Sequence, residues 1–152
     1  MDLFDKRILK QIQRDSSLSI GDIASNAGLS QTPCWRRIRK LEEAGVIERR
    51  VALLSPASLN LNLTAFMSVK AGRHDEAWFA DFAAGVKGIE EIVELYRMSG
   101  DIDYLLKVVV TDMAHFDQVY KRLIAVVDFS DVTSTFAMEE IKRTTELPLV
   151  SA

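Results

Sequence analysis

Apolar residues recur at helical spacing in the first segment of the chain, residues 2–14. Phe4, Ile8, Leu9 and Ile12 fall on one side of a helical projection, and lysine and arginine residues are interleaved among them. This pattern predicts an amphipathic helix of about three turns.

Two shorter helices are predicted to follow, separated by a tight turn. Ser19 is expected to be the N-cap of the second helix, and Gly28 suits the C-terminal position that requires a positive φ. Ser30 is expected to cap a third helix, whose first turn accepts Pro33 because early amides have no partner within the helix. Two short helices joined by a glycine turn are typical of a helix-turn-helix unit, whose second helix enters the DNA major groove.

The segment after Gly45 has a different pattern. Residues 46–54 favour a strand, and Arg49 and Arg50 lie at its middle. We therefore expect a small β-wing that contacts the DNA backbone.

The rest of the chain alternates between strand and helix periodicity. The predicted elements are, in order, a strand from Leu61, a helix over 74–84, strands over 89–99 and 104–110, a helix capped by Asp112, and a strand over 132–138. Gly100 and Asp101 begin a turn that makes the second and third strands a hairpin. The order βαββαβ is that of a ferredoxin-like domain, and the fold class is α+β. Such a sheet has one face bare of helices, which predicts a homodimer.

Polar and turn-forming residues separate the two patterns. Ser55, Pro56 and Ser58, with two asparagines at 60 and 62, indicate a connection. We therefore predict a DNA-binding domain over 1–52, a linker over 53–62 and a second domain over 63–152.

Charge is distributed unevenly between these parts. The 152-residue chain has a formal charge of -3, but the first 52 residues carry ten basic and seven acidic side chains. The remaining residues carry nine basic and fifteen acidic ones, so the two parts have charges of +3 and -6. A basic part joined to an acidic one indicates a nucleic-acid-binding domain linked to a domain with another task.

Several classes of protein are excluded by composition. The single cysteine cannot form an internal disulfide, and two separated histidines cannot build a Cys/His metal cluster, so neither a metal nor another cofactor is expected. No apolar run approaches the roughly 20 residues of a membrane span, and the charged amino terminus does not fit a signal peptide. We expect a cytoplasmic protein that does not contact membranes.

The third helix and the wing supply the candidate DNA contacts. Three residues near the start of the helix are expected to reach base edges, namely Gln31, Thr32 and Arg36. The later basic residues Arg37, Arg39 and Lys40 are expected to reach phosphates. Cys34 and Trp35 are expected to pack rather than to read bases. The candidate contacts are Ser30, Gln31, Thr32, Arg36, Arg37, Arg39, Lys40, Arg49 and Arg50.

Three stretches of the chain resemble one known family. The stretch AGLSQTPCWRRIRKLEEAGVIERR is similar to the helix-turn-helix signature of the Lrp/AsnC, or feast/famine, regulators. YRMSGDIDYLLKVVV and VTSTFAMEEIKRTTELPL are similar to the central hairpin and the last strand of their effector domain. The resemblance covers essentially the whole chain, although Arg49 and Arg50 stand where members commonly show a Gly-Tyr-like pair. It implies a transcription factor whose dimers assemble into tetramers, octamers or higher rings.

The same resemblance implies an amino-acid effector bound between dimers near the central hairpin. Hairpin amides and threonine hydroxyls would hold its carboxylate, and Asp103 would accept from its ammonium group. For Gly100 and Asp101, a role in the turn alone is equally compatible with the sequence. The implied effector residues are Met98, Ser99, Gly100, Asp101, Asp103, Thr133, Ser134 and Thr135.

Two other functions stay open at this point. An architectural DNA-binding protein would wrap DNA without any effector. A dimeric ferredoxin-like enzyme would use the space between sheets, with Tyr96, His74 and Asp103 as candidate polar groups. No residue pair has nucleophile–base or metal-ligand spacing, and His74 and His115 are expected at the surface, so the enzyme is disfavoured.

Overall fold

The computed structural model describes residues 1–149, and the chain divides into two compact units. The first unit combines Met1–Leu53 with the carboxy-terminal segment from Ile141, and the second comprises Leu54–Glu140. The predicted domain over 63–152 did not anticipate that this segment, which we call the tail (residues 141–149), would join the amino-terminal unit.

Three helices form the first unit, as the sequence predicts. They are α1 (Leu3–Ile12), α2 (Ile20–Ala27) and α3 (Gln31–Glu43). The Ser19 side chain accepts a hydrogen bond from the backbone N–H of Asp22, and Gly28 has a φ of 75°, so both predicted caps of α2 are confirmed. Ser30 is the N-cap residue of α3 but makes no capping hydrogen bond through its side chain, so that part of the prediction is wrong.

The predicted wing strand over 46–54 does not form. Residues 1–62 contain no β-strand. The amides of Val46 and Ile47 both donate to the carbonyl of Leu41, which ties the start of the segment to the end of α3. A strand also needs a partner with which to exchange backbone hydrogen bonds, and residues 1–62 supply none.

The tail packs against α1 through paired polar contacts. The Gln13 side-chain amide donates to the carbonyl of Leu147 (3.2 Å), and its oxygen accepts from the Leu147 N–H (2.6 Å). Beside them, Arg14 forms an ion pair of 3.0 Å with Glu146. Leu147 and Leu9 both line an apolar groove, but Leu147 is 73% exposed, so the contacts that hold the tail are mainly polar.

The second unit is the predicted four-stranded sheet with two helices. Its elements are β1 (Leu63–Ala71), α4 (Glu76–Lys87), β2 (Ile92–Arg97), β3 (Tyr104–Val110), α5 (Met113–Ile124) and β4 (Phe129–Phe136). The strands are antiparallel in the order β2-β3-β1-β4. The order of elements is confirmed, whereas β2 is shorter than predicted and pairs irregularly between Ile92 and Glu94.

Alternating residues of the central strands face the two helices. On β1, Ala65, Met67 and Val69 are fully buried and belong to one core with Phe82 of α4 and Leu123 of α5. The residues between them, such as Phe66, lie on the opposite face of the sheet, which we call the open face. The predicted face without helices is therefore present within this unit.

Aspartate residues are the N-caps of both α4 and α5. Asp75 accepts from the backbone N–H of Trp78, and Asp112 accepts from that of His115, as predicted for Asp112. Among the residues that the structure describes, no helix is long and apolar enough to cross a membrane.

Candidate DNA-binding and effector sites

Helix α3 divides into a buried side and an exposed side. Cys34, Ile38 and Leu41 face the core of the first unit at a spacing of three to four residues. The exposed residues include most of the predicted DNA contacts: Gln31, Thr32, Arg36, Arg39 and Lys40. The fold thus holds one side of α3 in place and leaves a polar, basic side accessible.

Arg37 departs from this arrangement because its guanidinium is engaged within the unit. It forms ion pairs with Asp2 (2.7 Å) and Asp5 (2.8 Å) of α1, and it lies 5.4 Å from the centre of the Phe4 ring. Donation of hydrogen bonds to the Asp5 and Asp2 carboxylates raises the pKa of Arg37. Its geometry favours a role in holding α1 against α3, rather than the phosphate contact that the sequence predicts.

Glu42 organises two of the remaining arginines. Arg39 lies 3.5 Å and Arg50 3.2 Å from its carboxylate oxygens. Within residues 1–149, Arg36, Lys40 and Arg49 have no carboxylate within ion-pair distance. Arg36 and Lys40 are therefore the cations of α3 that are most available to an external anion.

The start of α3 lies close to the start of α2. A Cβ atom added to Gly21 would lie 3.1 Å from Nε2 of Gln31, so the glutamine side chain extends over this glycine. Ser30 and Thr32 are exposed beside it. Two predicted base-reading residues, Gln31 and Thr32, and the predicted DNA contact Ser30 thus lie at the end of α3 that enters DNA first in a helix-turn-helix protein.

The expectation for the pair Cys34 and Trp35 is half correct. Cys34 is fully buried, and burial raises the pKa of its thiol. Trp35 is 51% exposed, so the prediction that it packs in the core is wrong. The helical pattern contained the signal, because Trp35 lies about 100° around the helix from the stripe that begins at Cys34.

In the second unit, the β2–β3 hairpin carries most of the predicted effector residues. Met98, Ser99, Gly100 and Asp101 are all exposed. The Met98 N–H donates to the carbonyl of Asp103 at 2.8 Å, which closes the turn. Gly100 has a φ of 121°, a conformation that a residue with a Cβ atom rarely adopts.

Asp103 fastens the base of this hairpin to β1. Its N–H donates to the carbonyl of Val69, and its Oδ2 accepts from the N–H of Ala71 at 2.8 Å. Its Oδ1 lies 4.0 Å from Nδ1 of His74. One carboxylate oxygen therefore serves the fold, and the other faces an exposed neighbour.

The three predicted residues of β4 do not share one face of the sheet. Thr133 pairs with Ser68 and Thr135 with Phe66, so both threonines lie on the open face. Ser134 pairs with Met67 and projects to the face that carries the helices. Since β1 separates β4 from the β2–β3 hairpin, one sheet does not place the threonines directly beside the hairpin.

The histidines behave differently from each other. His74 is exposed as predicted, but His115 is half-buried. The Nε2 of His115 lies 3.0 Å from Oε1 of Glu91, an oxygen that also accepts from Arg122. Among the residues that the structure describes, no cluster of three His, Cys, Asp or Glu side chains could hold a metal ion.

Comparison with known protein families assigns both units. Residues 1–48 match the model of a winged helix-turn-helix DNA-binding domain. Residues 64–147 match the model of the Lrp/AsnC ligand binding domain. The two models together account for most of the chain.

Individual relatives agree with these matches. The DNA-binding transcriptional activator DecR of Escherichia coli is 43% identical over 98% of this chain and 99% of its own length. The crystal structure of an AsnC family transcriptional regulator from Agrobacterium tumefaciens has a TM-score of 0.95 and 54% identity, over 98% of this chain and 97% of that one.

A third relative was crystallised with a ligand. It is a transcriptional regulator from Neisseria meningitidis, solved as a complex with L-methionine. It has a TM-score of 0.94 and 38% identity, and the match covers 99% of this chain and 97% of that one. These family models, identities and fold similarities lead to one conclusion: the chain belongs to the Lrp/AsnC family of DNA-binding transcriptional regulators.

Proposed function

We propose that this protein is a transcriptional regulator whose operator binding and assembly respond to an amino acid or a related small metabolite. The observation that carries the proposal is the combination, in one chain, of an α3 helix with an accessible basic side and an Lrp/AsnC ligand binding domain. The relative solved with L-methionine supports an amino acid as the class of effector.

The DNA interface that we propose is the exposed side of α3. Ser30, Gln31 and Thr32 would meet base edges. Lys40 would meet phosphates, and so would Arg36, although Arg36 is among the base contacts predicted from the sequence. Arg39 and Arg50 share Glu42, but each guanidinium keeps further N–H donors, so both are additional phosphate contacts of this proposal. Arg49, in the segment after α3, is a further phosphate contact of this proposal.

Replacement of Arg36 or Lys40 by Ala tests this interface. Each substitution should weaken binding to every duplex and should lower the slope of log K against log[salt] by about 0.9 for each phosphate that the side chain neutralised. Lys87→Ala, at the end of α4, is the matched control, because it removes an exposed cation from the second unit. Unchanged affinity and salt slope in both α3 variants would exclude this surface as the DNA interface.

The effector site that we propose lies between two copies of the second unit. The exposed hairpin residues Met98–Asp101 of one copy would combine with the open-face hydroxyls of Thr133 and Thr135 of another, because one sheet keeps these groups apart. Hairpin amides would bind the carboxylate, and the Oδ1 of Asp103 would accept from the ammonium group. Ser134, which projects to the helix-covered face, would support the strand rather than contact the effector.

The open face of the sheet is also the surface through which we propose that copies of the chain assemble. The open face carries half-buried apolar residues, among them Phe66, Leu105 and Val109, beside polar ones. Two copies would cover these residues by placing their sheets against each other. We propose a homodimer that assembles further into tetramers, octamers or a larger ring.

Calorimetry and light scattering with the twenty amino acids test the effector proposal. One ligand class should release or absorb heat and should shift the distribution of assemblies, since an effector can act only through a difference in affinity between states. Thr135→Val, which removes the hydroxyl but keeps the branched shape, should weaken this response, whereas Thr144→Val in the tail should not. A protein that binds DNA but shows neither heat nor a shift would instead be an architectural protein without an effector.

A further inference from the structure

Trp35 is a large apolar side chain that α3 leaves accessible. Its exposed fraction is 51%, whereas its neighbour Cys34 is fully buried. The core of the first unit already uses Cys34, Ile38 and Leu41 from this helix. Trp35 points about 100° away from that stripe, so the fold itself gives the indole little to cover it.

The side chains around Trp35 indicate which kind of binding partner would cover the indole. Thr32 and Arg39 lie three and four residues away on the same side of the helix, and Arg36 is the next residue. All three are exposed, so the apolar indole is surrounded by polar and basic side chains on the surface of α3. This combination is complementary to a DNA groove, in which phosphates border an interior of bases.

We propose that Trp35 contacts thymine methyl groups in the major groove and thereby contributes to operator specificity. The inference rests on the proposed function, in which α3 enters that groove. The C5-methyl group of thymine is the apolar feature that distinguishes a T·A pair there, and an indole offers a matching apolar edge. Its single N–H donates and does not accept, so among base edges it can pair only with acceptor atoms such as the O4 of thymine. Arg36 and Lys40 supply affinity without sequence information, and Trp35 supplies discrimination.

Fluorescence quenching tests whether DNA covers the indole. The chain has two tryptophans, and Trp78 is only 5% exposed, so quenching by acrylamide reports mainly on Trp35. A duplex selected by the wild-type protein from a random pool should lower the quenching constant. An unchanged constant at saturating duplex would overturn the proposal. So would the same loss of quenching on raising protein concentration without DNA, because a second copy would then cover Trp35.

Replacement of thymine by deoxyuridine tests the methyl contact directly. In the selected duplex, one thymine at a time is replaced, which removes only the methyl group. At one or more positions the Kd of the wild-type protein should rise by about fivefold, as expected when one base interaction near the lower end of the usual range is removed. Trp35→Ala should bind the thymine and deoxyuridine duplexes equally. A penalty that persists in this variant, or that is absent from the wild type at every position, would overturn the proposal.

Two further variants separate this proposal from the one on which it rests. Trp35→Phe keeps an aromatic edge and should retain part of the methyl penalty. A measurable Kd of Trp35→Ala for both duplexes shows that the loss of the penalty in that variant is not a folding defect. Arg36→Ala should weaken binding to all duplexes while the methyl penalty stays. If the wild-type protein binds no duplex, the proposed function fails. If the wild-type protein binds DNA but its methyl penalty does not depend on Trp35, only this inference fails.

Discussion

Arg37 lies next to Arg36 in the sequence, yet the two side chains have different surroundings. Arg36 is exposed and has no carboxylate partner within residues 1–149, whereas Arg37 bridges Asp2 and Asp5 of α1. The pKa of Asp2 lies below its usual value of 3.8, mainly because the N–H of Asp5 donates to it and also because Arg37 does. The pair therefore stabilises the folded unit only while Asp2 is ionised.

The stability that Arg37 provides should therefore depend on pH. A carboxyl whose pKa is lowered by folding contributes fully above its unfolded value and loses the contribution as pH falls through the folded value. Arg37→Ala should lower the Tm at neutral pH, and its difference from the wild type should shrink below pH 3.8. Thermal unfolding followed by circular dichroism at pH 7 and pH 3 measures this, with Arg36→Ala as control. A difference that is equal at both pH values would contradict the expectation.

Short helices depend on their ends more than long ones do, and α2 has only eight residues. Its N-cap Ser19 accepts from the N–H of Asp22, and its hydroxyl donates to the Asp22 carboxylate at 2.6 Å. The N-cap of α3, Ser30, makes no such side-chain bond. The two serines thus occupy equivalent positions on adjacent helices but contribute differently.

Substitution of each serine by Ala measures this difference. Ser19→Ala should lower the free energy of unfolding by about 1 kcal/mol, because one of the first amides of α2 loses its partner. Ser30→Ala should change it by no more than a few tenths of a kcal/mol, as for a surface substitution. Chemical denaturation with equal m-values gives both numbers. Equal losses in the two variants would show that the Ser19 bond adds nothing.

These elements also show which features the sequence could reveal. Ser19 and Gly28 were predictable because a cap depends on residues a few positions apart. The absence of a strand over 46–54 was not predictable from the local sequence. A strand forms only with a partner strand, and β propensity alone does not supply one. In the candidate sites, glycine and aspartate located the β2–β3 hairpin. The division of Thr133 and Ser134 between two faces follows from the alternation of any strand, whereas which of them faces the helices depends on the pairing of β4 with β1.

The tail is the feature of the whole molecule that local patterns could not predict. Gln13 and Leu147 are 134 positions apart in the sequence, and their contact brings these distant segments together within one unit. The double hydrogen bond imitates the pairing of two strands, with a side-chain amide in place of one backbone. The first unit therefore includes a segment that follows the whole of the second unit in the sequence.

Hydrogen exchange measures how firmly the tail is held. Gln13→Ala removes both bonds, so the amide of Leu147 should lose its protection and the unit should melt at a lower temperature. Gln118→Ala, on the exposed side of α5, is the control and should change neither quantity. Protection of Leu147 that survives in Gln13→Ala would show that other contacts, such as the Arg14–Glu146 ion pair, hold the tail without Gln13.

Synthesis on the ribosome gives this arrangement a temporal consequence. Helices α1 to α3 leave the exit tunnel long before Leu147 is made, and translation of the intervening residues takes on the order of ten seconds. During that interval Gln13 has no tail to bind, and Leu9 lacks the tail residues that later line a groove with it. The helices of the DNA-binding unit are thus made before the second unit and its tail after it, so every molecule passes through a nascent state in which these helices lack the tail.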